Sequence, residues 1–307
     1  MIDKLISIKN WLYHFGRPLD VLRYEYLFLK NNKDLYKKLL MTYQNPDGGF
    51  GHGIEPDSLN PNSSPIQTWM AFEMIEELEL TNEDKIVKDV LNYLINLAPK
   101  KDGLYLSTIP TNNEFPHASW WSYAEESSVW GYNPTIAIAG FIYKYGLDKT
   151  QKDYAIKIIQ RAINDFNKKP SEEMHELRAF LEMVSYVGDL SDFFESQIFL
   201  NNLEIQISNS IEKDSSLWFS TYCVRPLQYF DKPNGFAYKK HQNLAKKEAS
   251  MILDSLNKKG YWEVTWQWSE YLEDWIISKQ AWRSSLIIGY LKILTAYKII
   301  SFDDWRD

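Results

Sequence analysis

Residues 44–57 read Gln-Asn-Pro-Asp-Gly-Gly-Phe-Gly-His-Gly-Ile-Glu-Pro-Asp and lie between two segments with helical periodicity. The four glycines of this stretch allow left-handed backbone angles and a close approach of neighbouring chain, which other residues resist. A connection so constrained, ending in Glu55 and Asp57, is more typical of a loop that positions functional side chains than of a plain linker. We therefore expect this loop to carry part of a functional site.

The rest of the chain shows helical periodicity almost from end to end and few strand signals. Residues 86–95 and 154–166 carry apolar side chains at i, i+3 and i+4 spacing, which predicts helices with one face in water. Residues 134–147 and 286–294 are apolar or small on nearly every side, which predicts helices enclosed by others. Capping patterns at Ser64, Asn133 and Asp148 mark helix starts. Twelve helices are predicted, beginning near residues 4, 18, 33, 65, 83, 134, 149, 172, 191, 222, 238 and 276.

Three segments share one frame, in which a glycine is followed by any residue and then by an aromatic one. They are residues 44–50, 99–105 and 256–262, with Gly48, Gly103 and Gly260 at the shared position. Repeats at such long intervals indicate helical hairpins that bury their apolar faces only against neighbouring hairpins. Six pairs of outer and inner helices therefore predict a single all-α domain over residues 1–307. The expected fold is an (α/α)6 toroid, a barrel of alternating inner and outer helices.

The spacing of Gln44, Gly48 and Phe50 resembles the Q-x-x-x-G-x-W repeat of the squalene-cyclase and protein-prenyltransferase superfamily, whose fold is an α/α toroid. Residues 44–57, with Ser-Ser-Pro following at 63–65, are also similar to a group of bacterial proteins described as prenyltransferase-like. The resemblance implies a terpenoid cyclase-like or prenyltransferase-like protein that acts on or binds an apolar small molecule, such as an isoprenoid. Because many functions share this scaffold, the motif specifies the fold better than the chemistry.

The terpene cyclases have two acidic signatures. The D-x-D-D string that donates the proton in one class does not occur. The D-D-x-x-D string that holds magnesium diphosphate in the other class occurs only at Asp303, Asp304 and Asp307. Since this string occupies the last five residues, 303–307, where fraying is expected, we interpret the match as chance.

The zinc site of the protein prenyltransferases is not matched either. Those enzymes have an aspartate two residues before the zinc-binding cysteine, whereas this chain has Thr221 before Cys223. His52, His117 and Glu55 supply zinc-binding atom types but lack a spacing typical of zinc ligands. We therefore predict no metal and no other cofactor.

Three long connections, residues 44–64, 99–133 and 258–275, follow outer helices and lead to inner ones, which places them on one face of the predicted ring. Seven of the twelve tryptophans lie in the last two, which argues against disorder. We expect an aromatic, acidic cavity there. The candidate catalytic residues are Glu55, Asp57, Glu125, Glu126, His52 and His117. The candidate substrate-binding residues are Trp120, Trp121, Trp130, Tyr132, Trp262, Trp266, Trp268 and Trp275.

Carboxylates beside aromatic rings suit two kinds of chemistry. An acid can protonate an isoprenoid while ring faces stabilise the resulting cation. Alternatively, in a carbohydrate-active hydrolase or lyase, Glu55 or Asp57 would work with Glu125 or Glu126 across a glycosidic bond. A third class is a non-catalytic ligand-binding or peptide-binding toroid. In that case the carboxylates hold the glycine-rich loop through backbone amides, the histidines are structural and the tryptophans fill the ring.

The composition of the chain excludes several classes of partner and of location. The net charge of -7 offers no basic surplus for neutralising phosphates, so nucleic acid is not expected as a partner. The single cysteine excludes an internal disulfide framework. No apolar run of membrane-spanning length occurs and the first residues do not resemble a signal peptide, so we expect a cytoplasmic protein without stable membrane insertion. The expected partner is a small-molecule ligand, and the oligomeric state stays open.

Overall fold

The structure is a computed structural model, and it describes residues 1–301. Within this range the chain is all-α, as predicted, with eleven α-helices and one two-stranded hairpin. The helices are α1 (Ile2–Phe15), α2 (Pro18–Leu29), α3 (Lys33–Met41), α4 (Pro65–Glu77), α5 (Lys85–Asn92), α6 (Thr135–Tyr145), α7 (Lys149–Lys168), α8 (Met174–Val187), α9 (Ser196–Ser210), α10 (Tyr238–Met251) and α11 (Leu272–Ala296). The hairpin pairs β1 (Lys100–Lys101) antiparallel to β2 (Leu104–Tyr105). The D-D-x-x-D string at Asp303, Asp304 and Asp307 lies outside the described residues.

Most helix starts follow from local backbone chemistry. Eleven of the twelve predicted starts lie within five residues of an observed one. At α4 the Ser64 hydroxyl accepts a hydrogen bond from the Gln67 N–H at 3.1 Å, and at α7 the Asp148 carboxylate accepts one from the Gln151 N–H at 2.9 Å. These caps satisfy amides that have no partner inside the helix. At α6 the cap position is occupied by Pro134 rather than by Asn133.

The predicted helix near residue 222 is wrong. Among residues 211–237 the only helical element in the described chain is a short 3-10 turn, Pro226–Gln228. Pro226 has no N–H to contribute to a helix. The next amide, that of Leu227, donates instead to the buried Glu248 carboxylate at 2.8 Å. A long-range contact therefore replaces the helix that local periodicity predicted.

The chain divides into two compact units. Unit 1 consists of Met1–Leu40 and the described part of Ile211–Asp307, and unit 2 of Met41–Ser210. In unit 1, α11 packs against α1 and α2. In unit 2, α6 packs against α4, α5, α7 and α8, and α9 packs against α7 and α8. A Cβ atom on Gly140 of α6 would lie 2.8 Å from the Met183 Cα of α8, so these two helices approach closely. The single domain over residues 1–307 stays a prediction.

Burial follows the two helix classes expected from the sequence. Every residue from Thr135 to Ile142 of α6 is buried, which confirms an enclosed helix. The α5 and α7 helices bury only one stripe each, and their other faces are solvent-exposed. Along the chain of unit 2, the enclosed helix α6 thus lies between the amphipathic helices α5 and α7.

The glycine frames that repeat along the sequence are tight turns with the same backbone requirement. Gly48, Gly103 and Gly260 have φ values of +91°, +79° and +90°. A Cβ atom on Gly48 would lie 2.2 Å from the Asp89 carbonyl oxygen, and one on Gly260 would lie 2.2 Å from the Ser7 carbonyl oxygen. Each of these two glycines therefore lets its turn press against the backbone of a neighbouring helix, α5 in unit 2 and α1 in unit 1.

The aromatic residue of each frame is a core residue. Phe50 and Tyr105 have no exposed surface, and Trp262 is 2% exposed. The Phe50 N–H donates to the Thr68 hydroxyl of α4 at 3.0 Å, and the Tyr105 N–H donates to the Thr135 hydroxyl of α6 at 2.9 Å. The same contact thus recurs between an aromatic frame residue and the first turns of the following helix. The repeat seen in the sequence is a repeat of structure at these two positions.

Candidate functional site

The two long connections of unit 2 meet through backbone hydrogen bonds. The Leu59 N–H donates to the Pro116 carbonyl at 3.0 Å, and the Ala118 N–H donates to the Asp57 carbonyl at 2.9 Å. The Asn60 amide links the same loops by donating to the Thr111 hydroxyl and to the Asn112 side-chain carbonyl, each at 2.9 Å. The candidate residues of loops 44–64 and 99–133 are therefore close in space and firmly held. The third connection belongs to unit 1.

Glu55 and Asp57 are buried inside the first loop. Their exposed fractions are 4% and 3%. The Asp57 N–H donates to the Glu55 Oε1 at 3.1 Å, so the Glu55 carboxylate stabilises the turn in which both residues lie. His52 is exposed, and its Nε2 lies 2.9 Å from the Asn45 Oδ1. This geometry corresponds to the loop-holding alternative for Glu55, and the proposed catalytic roles stay predictions.

His117 is buried and its ring is held at both nitrogens. Nδ1 lies 2.6 Å from the Phe115 carbonyl and Nε2 lies 3.0 Å from the Ser122 hydroxyl. Because a carbonyl only accepts, Nδ1 carries the hydrogen there. Glu125 and Glu126, by contrast, are exposed on a 3-10 turn, Glu125–Ser127. The candidate catalytic residues thus differ widely in burial, and the exposed pair lies outside the protected interior.

The aromatic residues of the second loop form a partly open surface. Trp121 and Trp130 stack with ring centroids 5.1 Å apart and planes inclined by 24°. Trp120 is 40% exposed. Tyr132 is buried, and its hydroxyl donates to the Asp165 carboxylate of α7 at 2.6 Å. Tyr132 is therefore engaged in the packing of unit 2, whereas the three tryptophans keep accessible surface.

Most aromatic residues of the third loop belong to the core of unit 1. Trp262, Trp268 and Trp275 are 2%, 2% and 8% exposed. The Trp262 indole N–H donates to the Ile252 carbonyl at 2.9 Å, and Trp268 stacks on Trp275 at 5.6 Å. Trp266 is half-buried and lies edge-on to a neighbouring indole. Of these four, Trp266 has the most surface left for a ligand.

A second constellation lies on α4 and α8 of unit 2 and contains none of the candidates named from the sequence. The Glu182 carboxylate of α8 accepts a hydrogen bond from the Trp69 indole N–H of α4 at 2.9 Å. It also accepts one from the Tyr186 hydroxyl, one turn further along α8, at 3.1 Å. One carboxylate is therefore held at both oxygens by aromatic side chains from two helices. We call Trp69, Glu182 and Tyr186 the inner-helix site.

Lys144 of α6 connects a second carboxylate to the inner-helix site. Its ammonium lies 2.5 Å from the Glu76 Oε1 of α4 and 5.1 Å from the centre of the Tyr186 ring. Burial lowers the pKa of Lys144, but the hydrogen bond and charge of Glu76 outweigh it and leave that pKa above its ordinary value. The lysine stays positively charged and pairs with Glu76 beside the Glu182 carboxyl.

Burial changes the acidity of Glu182. Its pKa is raised to about 7, mainly by desolvation and also by the nearby Glu76 charge, although the hydrogen bonds from Trp69 and Tyr186 and the charge of Arg178 act in the opposite direction. A carboxyl group that titrates near neutral pH can both donate and accept a proton under physiological conditions. The inner-helix site therefore has the acid–base properties expected of a catalytic group.

Sequence reasoning missed the inner-helix site because its residues occupy ordinary helical positions. One signal was available: Lys144 is the only charged residue within the apolar segment 134–147. Glu182 similarly interrupts the apolar run Ala-Phe-Leu-Glu-Met-Val at 179–184. A lone charge in an apolar helical segment needs a polar partner or water, so it marks a place where the helix makes polar contacts.

Comparison of the chain with protein-family models, with curated proteins and with solved structures finds no match. Between residues 1 and 301, no helix combines the length and apolar character needed to cross a bilayer. The same residues contain no group of three or more His, Cys, Asp or Glu side chains arranged to hold a metal ion.

Proposed function

We propose that the chain is an α/α-toroid enzyme in which Glu182 acts as a general acid–base catalyst on a neutral, ring-containing small molecule. The observation that carries the proposal is the Glu182 carboxyl, held between the Trp69 indole of α4 and the Tyr186 hydroxyl of α8. The toroid is supported by the enclosed helix α6 between the amphipathic helices α5 and α7, and by the recurrent contacts of Phe50 and Tyr105.

The acidity of Glu182 favours an oxygen atom over an alkene carbon as the proton acceptor. Protonating an alkene requires a strong acid, whereas a carboxylic acid with a pKa near 7 is well matched to a leaving-group oxygen at neutral pH. The second carboxylate, Glu76, is paired with Lys144 nearby. Two carboxyl groups beside an indole suit cleavage of a glycosidic bond, with the sugar stacked on the aromatic ring.

A second candidate is the binding or cyclisation of an isoprenoid. It is favoured by the turn at Gln44, whose side-chain amide donates to the Gly48 and Ile86 carbonyls, each at 3.0 Å. This turn carries the resemblance to the squalene-cyclase repeat. In that case Trp69, Tyr145 and Tyr186 would provide ring faces for a carbocation, and Glu182 would have a positioning role rather than donate the proton.

The two candidates are separated by activity measurements on one set of proteins. The wild-type chain is incubated with α- and β-linked 4-methylumbelliferyl glycosides, and release of the fluorophore is followed. Parallel incubations with farnesyl diphosphate, geranylgeranyl diphosphate and squalene are examined by gas chromatography and mass spectrometry. We expect fluorophore release, with kcat reduced at least about 100-fold in Glu182→Gln. The exposed carboxylate variant Glu172→Gln serves as the matched control and should retain full activity.

The pH profile adds a readout that a purely structural role would not move. The Trp69 indole N–H lowers the pKa of Glu182, so Trp69→Phe should raise that pKa. The general acid then loses its proton at a higher pH, so the alkaline limb of the kcat profile should shift to higher pH. If Glu182→Gln releases the fluorophore at the wild-type rate, Glu182 is not the general acid–base catalyst. Terpenoid products without any glycoside cleavage would favour the isoprenoid candidate.

A further inference from the structure

A surface groove of about 630 Å³ lies along α7 in unit 2, and none of the residues that line it belongs to the inner-helix site. This volume lies within the range of small-molecule binding sites in proteins, roughly 300–1,000 Å³. Its apolar lining consists of Tyr143 of α6 and Phe193, whose ring centroids are 6.5 Å apart, together with Ile156 of α7. Part of the lining is therefore apolar and aromatic.

Charged side chains make up much of the remaining lining. The positively charged ones are Lys157, Arg161 and Lys168, and the negatively charged ones are Asp165 and Asp192. The groove thus carries more positive than negative groups, although the whole chain has a net charge of -7. A local positive surplus on an acidic protein attracts anions in preference to cations.

The charges of the groove differ in how far they are neutralised. The Asp165 carboxylate accepts a hydrogen bond from the Tyr132 hydroxyl at 2.6 Å and lies 3.7 Å from both Arg161 and Lys168. Arg161 in turn donates to the Asp102 carbonyl at 2.8 Å. The Lys157 ammonium, by contrast, has no hydrogen bond or ion pair with any residue of the described chain 1–301. Lys157 is therefore the cation available to a ligand.

Hydrogen bonds within unit 2 hold the residues around the groove in place without a ligand. The Gln160 side chain accepts a hydrogen bond from the Phe194 N–H at 2.8 Å and donates to the Phe194 carbonyl at 3.1 Å. It also donates to the Asn164 side chain at 2.9 Å. These bonds fix the segment that carries Phe193 against α7. A groove fixed in this way avoids the entropic cost of ordering its walls on binding.

We propose that this groove binds a small molecule with one aromatic body and one anionic group. The aromatic body would lie on Tyr143 and Phe193, and the anionic group would pair with Lys157. A neutral ligand would leave the Lys157 charge unused, and a cation would meet the positive surplus of the groove. The proposal concerns a second site and does not depend on the function assigned to Glu182.

The test uses two fluorescent probes with similar rings and different charge. 8-Anilinonaphthalene-1-sulfonate carries one negative charge, and N-phenyl-1-naphthylamine is neutral. Both are titrated into the full chain and into Lys157→Met, which removes the charge and keeps the length of the side chain. Since Lys157 is exposed and its ammonium makes no hydrogen bond or ion pair with residues 1–301, the variant should fold normally. Lys149→Met, at the exposed start of the same helix, is the matched control.

We expect Lys157→Met to weaken binding of the sulfonate probe about tenfold, as for the loss of one charge-assisted contact. Binding of the neutral probe should be unchanged, and Lys149→Met should bind both probes as the wild type does. A second variant, Ile156→Gln in the apolar lining of the groove, should weaken the binding of both probes. The proposal is overturned by equal sulfonate affinity in Lys157→Met and wild type, or by equal losses for both probes in that variant. Absence of sulfonate binding to the wild-type chain would overturn it as well.

Discussion

At the scale of single residues, two threonine hydroxyls make the same kind of contact in two repeats. Thr68 accepts the N–H of Phe50 and Thr135 accepts the N–H of Tyr105, and all four residues are buried. A buried amide without a partner is costly because it loses its hydrogen bonds to water and gains none in the protein. These hydroxyls therefore attach each aromatic turn to the helix that follows it.

Replacing Thr68 by valine keeps the shape of the side chain and removes the acceptor. We expect Thr68→Val to lower the free energy of unfolding by about 1–3 kcal/mol, because the Phe50 N–H is left buried and unpaired. Urea denaturation followed by circular dichroism measures this loss. Thr68→Ser keeps a hydroxyl and should recover most of it, while the exposed Thr150→Val should stay within about 0.5 kcal/mol of wild type. An unchanged midpoint in Thr68→Val would show that the amide finds another acceptor.

The raised pKa of Glu182 could not be predicted from the sequence. Glu182 is one of many glutamates, and nothing about its neighbours in the chain changes its acidity. Its pKa rises because packing removes water from the carboxyl and brings Glu76 near. Trp69, which lies 113 residues away in the chain, supplies the indole hydrogen bond. Both effects exist only after the helices have packed.

At the scale of elements, the glycine turns determine how closely a loop can approach its neighbouring helix. Gly260 and Gly235 lie in unit 1 with nearly equal φ values of +90° and +88°. A Cβ atom on Gly260 would meet the Ser7 carbonyl oxygen of α1 at 2.2 Å, whereas one on Gly235 meets nothing within 4 Å. The pair therefore separates the steric effect of the neighbouring helix from the conformational effect of a positive φ.

We expect Gly235→Ala to cost about 1–2 kcal/mol, the usual penalty for an L-residue in a left-handed conformation. Gly260→Ala should cost at least about 3 kcal/mol, because a backbone clash is added to the same strain. Thermal and urea denaturation of the two variants provide the measurement. Equal losses would mean that the turn at Gly260 moves away from α1 without penalty, contrary to the close contact described above.

The segment between α9 and α10 shows how a tertiary contact overrides helical periodicity. Glu248 of α10 is buried, accepts the Leu227 N–H and lies 3.6 Å from the Arg225 guanidinium. The same guanidinium donates to the Tyr290 hydroxyl of α11 at 2.8 Å. These partners hold residues 225–228 in a short turn. A helix there would withdraw the Leu227 amide into an intrahelical bond and leave the buried Glu248 carboxylate without it.

At the scale of the whole molecule, two glutamates with raised pKa values make stability depend on pH. Loss of water around the carboxyl raises the pKa of the half-buried Glu182 in unit 2 and of the buried Glu248 in unit 1 to about 7. Between the ordinary glutamate pKa and 7, the folded chain binds more protons than the unfolded chain. The free energy of unfolding therefore falls as pH rises through this window. The net negative charge of the chain, which increases with pH, acts in the same direction.

We expect the melting temperature to fall between pH 5 and pH 8, with a loss on the order of 1–3 kcal/mol from each glutamate. Glutamine has no such titration, so Glu182→Gln and Glu248→Gln should each flatten the profile, and the double variant should flatten it most. Differential scanning calorimetry across this range is the measurement. A melting temperature that rises from pH 5 to pH 8, or a double variant with an unchanged slope, would contradict the assignment of these two groups.

The amino-acid sequence alone determined the helical class, eleven helix starts, the caps at Ser64 and Asp148, and the glycine turns. These features depend on hydrophobic periodicity and on backbone chemistry within a few residues, which are present in the chain before it folds. The tertiary structure decided which acids are buried, which indoles keep an open face, and that residues 225–228 form a turn instead of a helix. It also assembled Trp69, Lys144 and Glu182 from three helices. Hydrogen bonding and loss of water at that site arise from long-range packing, which no local pattern of residues records.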